Sequence, residues 1–596
     1  MNANAEKQPP LLWRHIFGAL IAFLILLPLW GIFVLRFIQP ETIILTQEQF
    51  MSNERIWPIL KWFVFLPLAM IAVLFGVYWA MAVKNAEAKY KQQILTAQPK
   101  ITVSEQTRRE YVLEIIGLGV TLDKYRQGKL WEALQKGSPH VTIREEDPKK
   151  YPWTDMDKSG IAGGRGGDTL ENGAQNTPMY YGVPVFDAEA PVFNSRLVDR
   201  PNAPLVGLAA GAVSSGMAWH LFVVGPRRFA ERPDRILDDV FAFFDANPDV
   251  PYIVLNSEDS MASRDIYRPI GSPPLLKDGY YIPEMPDASA LFVLARRERV
   301  DAVRPFAFDD VPPEASVDQL NQYGVARRLF LAYTALERTV PHPDKEKDPE
   351  AYTERQPLIA EWLPVAAQFA QRPDIRGTGV NNTLKGVAPW VHYPPKNWKP
   401  TPWFPIPWNN DQLDTFDRLP TLGFLHRPTF VKFADEHGKP LTRRDEREKA
   451  LQAGWQQALQ TLPEAQRLKA PARIIAATGG NTEQLIALHS TLNAYAAQGG
   501  PVYDNANSEQ FIDTDKRLGN TGAATLFVQM GIGVIGSYRS GGVSAAINLR
   551  DGNEASIVLI SPPSDAARKA QHRPNGDDVF GNRATPMIDP ANYPPN

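Results

Sequence analysis

Two adjacent serines are candidates for the nucleophile of a hydrolase. Ser214 and Ser215 stand in the small-residue run 211–216, and His220 follows closely. An α/β-hydrolase holds its nucleophile in a Gly-x-Ser-x-Gly turn. Ala212 occupies the first glycine position for Ser214, and Ser215 has glycine at neither position. The motif is incomplete, so catalysis by either serine is the less favoured interpretation.

Three glycine-containing segments have a spacing that could serve anion binding, and each also has a structural interpretation. Residues 531–536 match Gly-x-Gly-x-x-Gly, but the sequence that follows does not open a helix, which favours close packing over dinucleotide binding. The cluster 163–167 lacks the Gly-Lys-Ser/Thr ending of a P-loop, and we predict a loop over 151–176. The turn 478–481 precedes a predicted helix, where free N–H groups can hold an anion. A simple chain reversal needs the same turn, and this interpretation is favoured.

Several classes of site are excluded by composition. Cysteine is absent from all 596 residues, which excludes disulfides, thiolate nucleophiles and sites that bind metal through cysteine. The nine histidines show no His-x-x-x-His or His-Glu-x-x-His spacing, so no metal site is predicted. The 63 basic and 66 acidic side chains give a net charge of -3, which provides no electrostatic reason to bind nucleic acid. We therefore expect neither a cofactor nor a nucleic-acid partner.

A segment rich in proline and tryptophan, residues 389–408, is a further candidate for a functional surface. It contains Trp390, Trp398, Trp403 and Trp408, and its prolines exclude regular structure. One interpretation is an extended arm whose indoles anchor a partner protein. The other is a strap packed over the C-terminal domain, with each indole in a groove. The sequence favours neither, so we name the four tryptophans as candidate partner-binding residues.

Strands and helices alternate through the part of the chain that would position these residues. The periodicity of apolar residues, with capping and turn signals, distinguishes the two kinds of element. Strands are predicted at 111–118, 252–256, 290–295 and 472–477, helices at 125–135, 236–244, 317–338, 443–462 and 482–497, and a hairpin at 543–561. This alternation predicts a layered α/β fold. The predicted organisation is an N-terminal α/β domain at 110–340, a linker and arm at 341–418, a C-terminal α/β domain at 419–563, and a polar tail at 564–596.

Two long apolar stretches precede these domains. Residues 16–38 are apolar apart from one arginine and residues 62–83 carry no charge, so each can cross a ~30 Å hydrocarbon core as a helix. The loop between them is acidic, whereas lysines and arginine flank the pair, which by the positive-inside rule puts both ends in the cytoplasm. We therefore expect a two-pass protein of the bacterial inner membrane, with a stalk at 84–109 and a soluble body in the cytoplasm.

Two parts of the sequence resemble the β-ketoacyl synthases. Residues 111–120 contain a Gly-Leu-Gly-Val strand, followed by a Trp-x-x-Leu helix, and Lys516, Asn520 and residues 522–524 are similar to that family's Lys…Gly-His…Gly-Ala-Ala stretch. The resemblance implies a thiolase-like fold. Asn520 stands where the family has its active-site histidine, and no cysteine exists to be acylated, so condensing chemistry lacks both groups that it needs.

Residues 111–563 as a whole resemble the adaptor family of type VI secretion lipase effectors. The resemblance runs through residues 117–126, 253–259, 518–524 and 541–546. It implies a non-catalytic, chaperone-like protein that binds a phospholipase-type toxin in the cytoplasm and helps load it onto the VgrG spike of a type VI secretion system. No catalytic residue is implied. The alternatives are a membrane-tethered hydrolase using one of the two serines, or a membrane-anchored scaffold for another envelope machine.

Overall fold

The computed structural model describes residues 112–189, 217–229, 232–266, 273–311, 315–340, 356–377, 392–467, 469–571 and 578–583. All of them belong to one compact unit, which spans Ile101–Asn596. The two apolar stretches predicted to span a membrane lie outside the described residues. Within the described ranges, no helix is both long enough and apolar enough to cross a membrane.

Strands and helices alternate along the described chain. The strands are β1 (Val112–Leu122), β2 (Tyr125–Arg126), β3 (Gly182–Glu189), β4 (Leu221–Phe229), β5 (Tyr252–Asp259), β6 (Ala288–Ala295), β7 (Gly423–His426), β8 (Thr429–Lys432), β9 (Arg473–Ala477), β10 (Phe511–Asp513), β11 (Ser544–Asn548) and β12 (Glu554–Ser561). The helices are α1 (Gly128–Gln135), α2 (Asp155–Ala174), α3 (Ile236–Ala246), α4 (Met261–Ile266), α5 (Val317–Tyr323), α6 (Val325–Glu337), α7 (Ile359–Ala370), α8 (Asn410–Asp417), α9 (Arg444–Gln460), α10 (Glu464–Arg467), α11 (Thr482–Ala497), α12 (Thr514–Leu518), α13 (Thr525–Ser540) and α14 (Asp565–Ala570).

The strands form one sheet with a duplicated topology. Its order is β10-β9-β11-β12-β7-β1-β6-β5-β3-β4, with β2 on β1 and β8 on β12. The N-terminal half is β4-β3-β5-β6-β1 and the C-terminal half is β10-β9-β11-β12-β7. In each half the first three strands are parallel and the next two pairings are antiparallel, and the first strand of the half along the chain lies at the inner edge. The halves meet where β1 and β7 pair antiparallel, with Val112 opposite His426 and Ile115 opposite Gly423. The two α/β domains expected from the sequence are therefore halves of one sheet.

Helices cover both faces of the sheet at β1, which confirms the layered α/β fold. Successive side chains of a strand point to opposite faces. A Cβ added at Gly119 would lie 1.9 Å from the Thr169 carbonyl oxygen of α2, so this face of β1 approaches that helix closely. The next residue, Val120, faces the other layer, because its side chain lies 3.1 Å from the Cβ position of Gly531 in α13.

The prediction of a loop over residues 151–176 is wrong, because this segment contains the 20-residue helix α2. Thr154 caps the helix, and its Oγ1 accepts a hydrogen bond from Asp157 N at 3.0 Å. A glycine inside a helix lowers the stability of that helix by about 1 kcal/mol relative to alanine, which is why the glycine cluster predicts a loop. Close packing of α2 on the sheet offsets that cost. A Cβ at Gly173 would lie 2.4 Å from Leu291 Cδ2 of β6 and 3.0 Å from Gly119 N of β1, so only glycine fits there.

Two other local predictions agree with the structure, and a third differs from it. The segment 531–536 lies inside α13, where a Cβ at Gly536 would lie 2.8 Å from the Trp131 ring, so the close-packing interpretation is confirmed. The capping box of Ser316 and Gln319 is present. The helix expected over 317–338 is instead two helices, α5 and α6, which meet at Gly324.

Candidate functional site

Some of the residues singled out from the sequence lie outside the described part of the chain. These are Ser214, Ser215 and Trp390. His220 is described and is buried, and its Nδ1 lies 3.1 Å from Thr177 Oγ1. Burial lowers the pKa of His220 to about 4. The imidazole is therefore neutral at physiological pH.

The proline- and tryptophan-rich segment is irregular through residues 392–408, as predicted, and it packs on the N-terminal half of the sheet. Trp403 is 1% exposed. Its ring meets Phe243 of α3 edge to face at 5.7 Å between centroids, and its Nε1 donates to Asn247 Oδ1 at 3.2 Å. Its backbone N–H donates to Asp249 Oδ2 at 3.0 Å. This tryptophan ties the segment to α3 and the turn that follows it.

Trp408 is equally buried, in an aromatic cluster. Its ring lies 5.2 Å from Tyr181 and 5.3 Å from Phe416. Trp398 is only partly buried and packs edge to face on Phe306 at 5.0 Å. The contacts favour the strap interpretation, with one correction: the strap covers the N-terminal half and not the C-terminal domain, because Phe243, Phe306 and Tyr181 belong to the N-terminal half.

A cavity with a volume of about 680 Å³ lies beside this strap. Its walls come from the C-terminal end of α2, the start of α6, helix α8 and residues 578–583. Six carboxamide side chains line it: Gln127, Asn172, Gln175, Asn176, Asn409 and Gln412. Gln127, Asn172, Asn409 and Gln412 are hydrogen-bonded within the protein, whereas Gln175 and Asn176 are exposed and can pair with a bound group.

Arg327 of α6 lines the cavity and is 9% exposed. Its guanidinium stacks on Trp219 at 4.4 Å and on Phe330 at 4.5 Å from the ring centroids. Its Nε donates to Asn321 Oδ1 at 2.9 Å. The nearby carboxylate of Asp310 accepts from two backbone N–H groups at the start of α6, at 2.9 and 3.0 Å, and so caps that helix.

The edge of this cavity carries exposed apolar side chains, which we call the aromatic rim. Met179, which lines the cavity, is 48% exposed, and Trp219, stacked on Arg327, is 37% exposed. Tyr180 follows Met179 in sequence, and its ring centroid lies 5.8 Å from that of Trp219. Sequence reasoning missed these residues, because they come from separate loops and helices and share no motif.

A second polar cluster joins the two halves of the fold. Asp259 at the end of β5 is 1% exposed, and Oδ2 accepts from Ala523 N at 2.7 Å. Arg264 binds the same carboxylate with two hydrogen bonds of 2.8 and 2.7 Å. Gly522 must be glycine here, because its φ is +55° and a Cβ would lie 1.8 Å from Asp259 Oδ2.

Asn520, at the position similar to the synthase histidine, belongs to this cluster. Its Oδ1 accepts from Gly522 N at 3.0 Å and also from the guanidinium of Arg550. Arg550 in turn donates to Thr525 Oγ1 at 2.5 Å. The side-chain oxygen Oδ1 of Asn520 therefore stabilises the turn before α13.

A smaller cavity of about 130 Å³ adjoins Glu258, near the same cluster. Burial and, to a smaller extent, the neighbouring carboxylates of Asp187, Asp259 and Asp287 together raise the pKa of Glu258 to about 7. Despite these carboxylates, the described residues contain no group of three or more His, Asp or Glu side chains that could hold a metal ion.

Comparison with known proteins gives two family matches that follow the halves of the fold. Residues 111–278 match the model of "Type VI lipase adapter protein Tla3, N-terminal", and residues 422–562 match "Type VI lipase adapter protein Tla3, C-terminal". The first model covers residues 111–278 of the predicted N-terminal domain, and the second covers nearly all of the predicted C-terminal domain.

Solved structures that are similar at low identity include ketosynthases and a thiolase. The ishigamide ketosynthase/chain length factor has 9% identity over 76% of this chain and 100% of its own, with a TM-score of 0.33. The peroxisomal 3-ketoacyl-CoA thiolase of Saccharomyces cerevisiae has 10% identity over 77% of this chain and 100% of its own, with a TM-score of 0.32. At these scores the likeness carries no argument about function.

Proposed function

Because this chain belongs to the type VI lipase adapter protein family, we propose that it is a non-catalytic adaptor that binds a phospholipase-type effector in the cytoplasm and helps load it onto a VgrG spike. The observation that carries the proposal is the pair of family matches, over residues 111–278 and 422–562. The family description supplies the lipase partner. The loading step follows from the family resemblance, and the membrane anchor follows from the two apolar stretches of the sequence.

The contacts of Asn520 support the non-catalytic part of the proposal. A condensing site needs a nucleophile and a basic group that reach a substrate. The sequence contains no cysteine, and the Asn520 amide oxygen is used in hydrogen bonds to Gly522 and Arg550. The hydrolase alternative depends on Ser214 or Ser215, and His220, the histidine nearest to them in sequence, is buried and bonded to Thr177.

We assign effector binding to the aromatic rim around the 680 Å³ cavity. Protein interfaces are enriched in aromatic residues, methionine and arginine, and a few of them carry most of the binding energy. Met179, Trp219 and Arg327 provide these residue types beside a cavity that can receive part of a partner. Trp219 is the best candidate for an anchor, because its ring is held by Arg327 yet remains 37% exposed.

The exchange Trp219→Ala is expected to weaken binding of the lipase by about 2 kcal/mol, roughly thirtyfold. The measurement is the dissociation constant for a purified phospholipase-type effector. Trp153→Ala is the matched control, because Trp153 is also exposed, at 52%, and contacts a ring, Tyr280, at 5.3 Å. Equal binding by both variants would exclude the aromatic rim as the interface, and a wild-type protein that binds no lipase would contradict the adaptor proposal itself.

The proposed location is the bacterial inner membrane, with two spans at residues 16–38 and 62–83 and the body in the cytoplasm. Alkaline phosphatase is active only after export, so a fusion after Lys100 is expected to be inactive, whereas a fusion in the acidic loop between the spans is expected to be active. The charge distribution around the spans is the physical reason. High phosphatase activity after Lys100 would place the body on the other side of the membrane.

A further inference from the structure

A segment of the C-terminal tail packs on the body beside the 680 Å³ cavity. We call residues 578–583 the tail clip. Phe580 of the clip is only 2% exposed, and its ring meets Tyr538 of α13 edge to face at 5.3 Å between centroids. Its carbonyl oxygen accepts a hydrogen bond from the backbone N–H of Gly128, at the start of α1, at 3.1 Å. One buried ring and one backbone bond therefore anchor the middle of the clip.

The tail clip is also held on both sides of this ring, by groups from the two halves of the sheet. The Asp578 carboxylate accepts from the guanidinium of Arg539, on α13. Asn172, near the end of α2, donates from Nδ2 to Asn582 Oδ1 at 2.8 Å. Oδ1 of the same carboxamide accepts from the backbone N–H of Arg583 at 2.8 Å. The clip therefore connects α13 of the C-terminal half to α2 of the N-terminal half.

Contacts with the body alternate with contacts to the cavity along the tail clip. Every second side chain binds the body: Asp578, Phe580 and Asn582. The residues between them line the cavity: Val579, Gly581 and Arg583. One side of the clip therefore fixes its position, and the other side forms part of the cavity wall.

The cavity side of the tail clip faces the same space as the aromatic rim. Met179 of the rim and Val579 of the clip both line the cavity, so a ligand that fills it touches both. Val579 is only partly buried, which leaves part of its side chain accessible. Asp310 and Asp411 line the cavity together with its arginines, so apolar contact is a better basis for recognition than charge. The volume lies within the range of pockets that bind small ligands, which suits a short segment of a partner.

We propose that the tail clip is part of the effector-binding site, where Val579 packs against an apolar segment of the lipase that enters the cavity beside the aromatic rim. The inference rests on the proposed adaptor function and adds a C-terminal segment to the residues that recognise the effector. The alternative is a clip that only staples α13 to α2. In that case its loss lowers stability and leaves the affinity of the folded protein unchanged.

The test compares full-length variants in their affinity for a purified phospholipase-type effector. Val579→Asp is expected to weaken binding about tenfold or more, because an apolar contact is lost and a carboxylate is removed from water on binding. Val502→Asp is the matched control. Val502 is 80% exposed and does not line the cavity, so wild-type affinity is expected.

Phe580→Ala removes the anchor of the tail clip and is expected to weaken binding by a similar factor. A lower melting temperature with wild-type affinity would show a staple only, and so would wild-type affinity in a folded Val579→Asp protein. Either result would overturn the inference and leave the adaptor function standing. Failure of the wild-type protein to bind the lipase would overturn both.

A photo-crosslinking amino acid in place of Val579 decides the question if Val579→Asp and Phe580→Ala fail to fold. Position 579 is expected to capture the lipase through an apolar segment, whereas the same amino acid in place of Val502 is expected to capture none. A complex that forms with wild-type affinity and gives no crosslink from position 579 would overturn the inference.

Discussion

Replacing Trp403 by alanine is expected to lower the free energy of unfolding by about 3–5 kcal/mol, the range for removing a buried aromatic side chain. The ring is 1% exposed, and its loss leaves a cavity against Phe243 and an unpaired Asn247 amide oxygen. Trp408→Ala belongs to the same range, because that ring is equally buried against Tyr181. Thermal unfolding of the purified chain and its accumulation in cells measure the effect.

Trp398→Ala is the comparison within the same strap. Trp398 is only partly buried, and the exchange removes fewer packed contacts, so a smaller decrease in melting temperature is expected. If Trp403→Ala melted like the wild-type protein but bound the lipase poorly, the strap would be an interface and the packing interpretation would fail.

Asp259→Ala is expected to destabilise the protein by a similar amount, about 3–5 kcal/mol, because it breaks a buried ion pair and leaves its partner charged. The exchange removes the acceptor of both hydrogen bonds from Arg264 and of the bond from Ala523 N. Chemical denaturation monitored by tryptophan fluorescence is a suitable measurement. Since the contact connects β5 to the turn before α13, loss of cooperativity between the two halves is expected as well.

Asp417→Ala is the matched control for Asp259→Ala. Asp417 also accepts two hydrogen bonds from one arginine, Arg304, at 2.7 and 2.6 Å. Its side chain is 41% exposed and that of Arg304 is 38% exposed, so the expected cost is only about 0–1 kcal/mol. Equal costs for the two exchanges would show that burial does not govern the contribution of Asp259.

The sequence predicted those elements whose signals are local. The helix at 482–497 has the predicted bounds, and the capping box at Ser316 follows from the spacing of two residues. Helix α2 was missed because its stability comes from contact with β1, which lies more than thirty residues away from Gly163 in the chain. Glycine propensity is a local quantity, whereas the fit of α2 on Gly119 is a property of the folded sheet.

The candidate site could not be found from the sequence for the same reason. Met179, Trp219 and Arg327 come from three separated parts of the chain, and none has a motif around it. The tryptophans near residue 400 stood out by composition, but composition does not distinguish an exposed anchor from a buried one. The family resemblance supplied the lipase partner, and the structure supplied the surface proposed to bind it.

The seam between β1 and β7 also imposes an order of events during synthesis on the ribosome. Val112 of β1 pairs with His426 of β7, so the ribosome synthesises β7 long after it has synthesised β1. The N-terminal half ends with β6 at Ala295, so at about 5–20 residues per second it waits on the order of 6–26 s for β7. Throughout that time β1 has an open edge, which is a template for pairing with other chains. Correct production of this protein therefore depends on how well the cell shields one strand of an unfinished sheet.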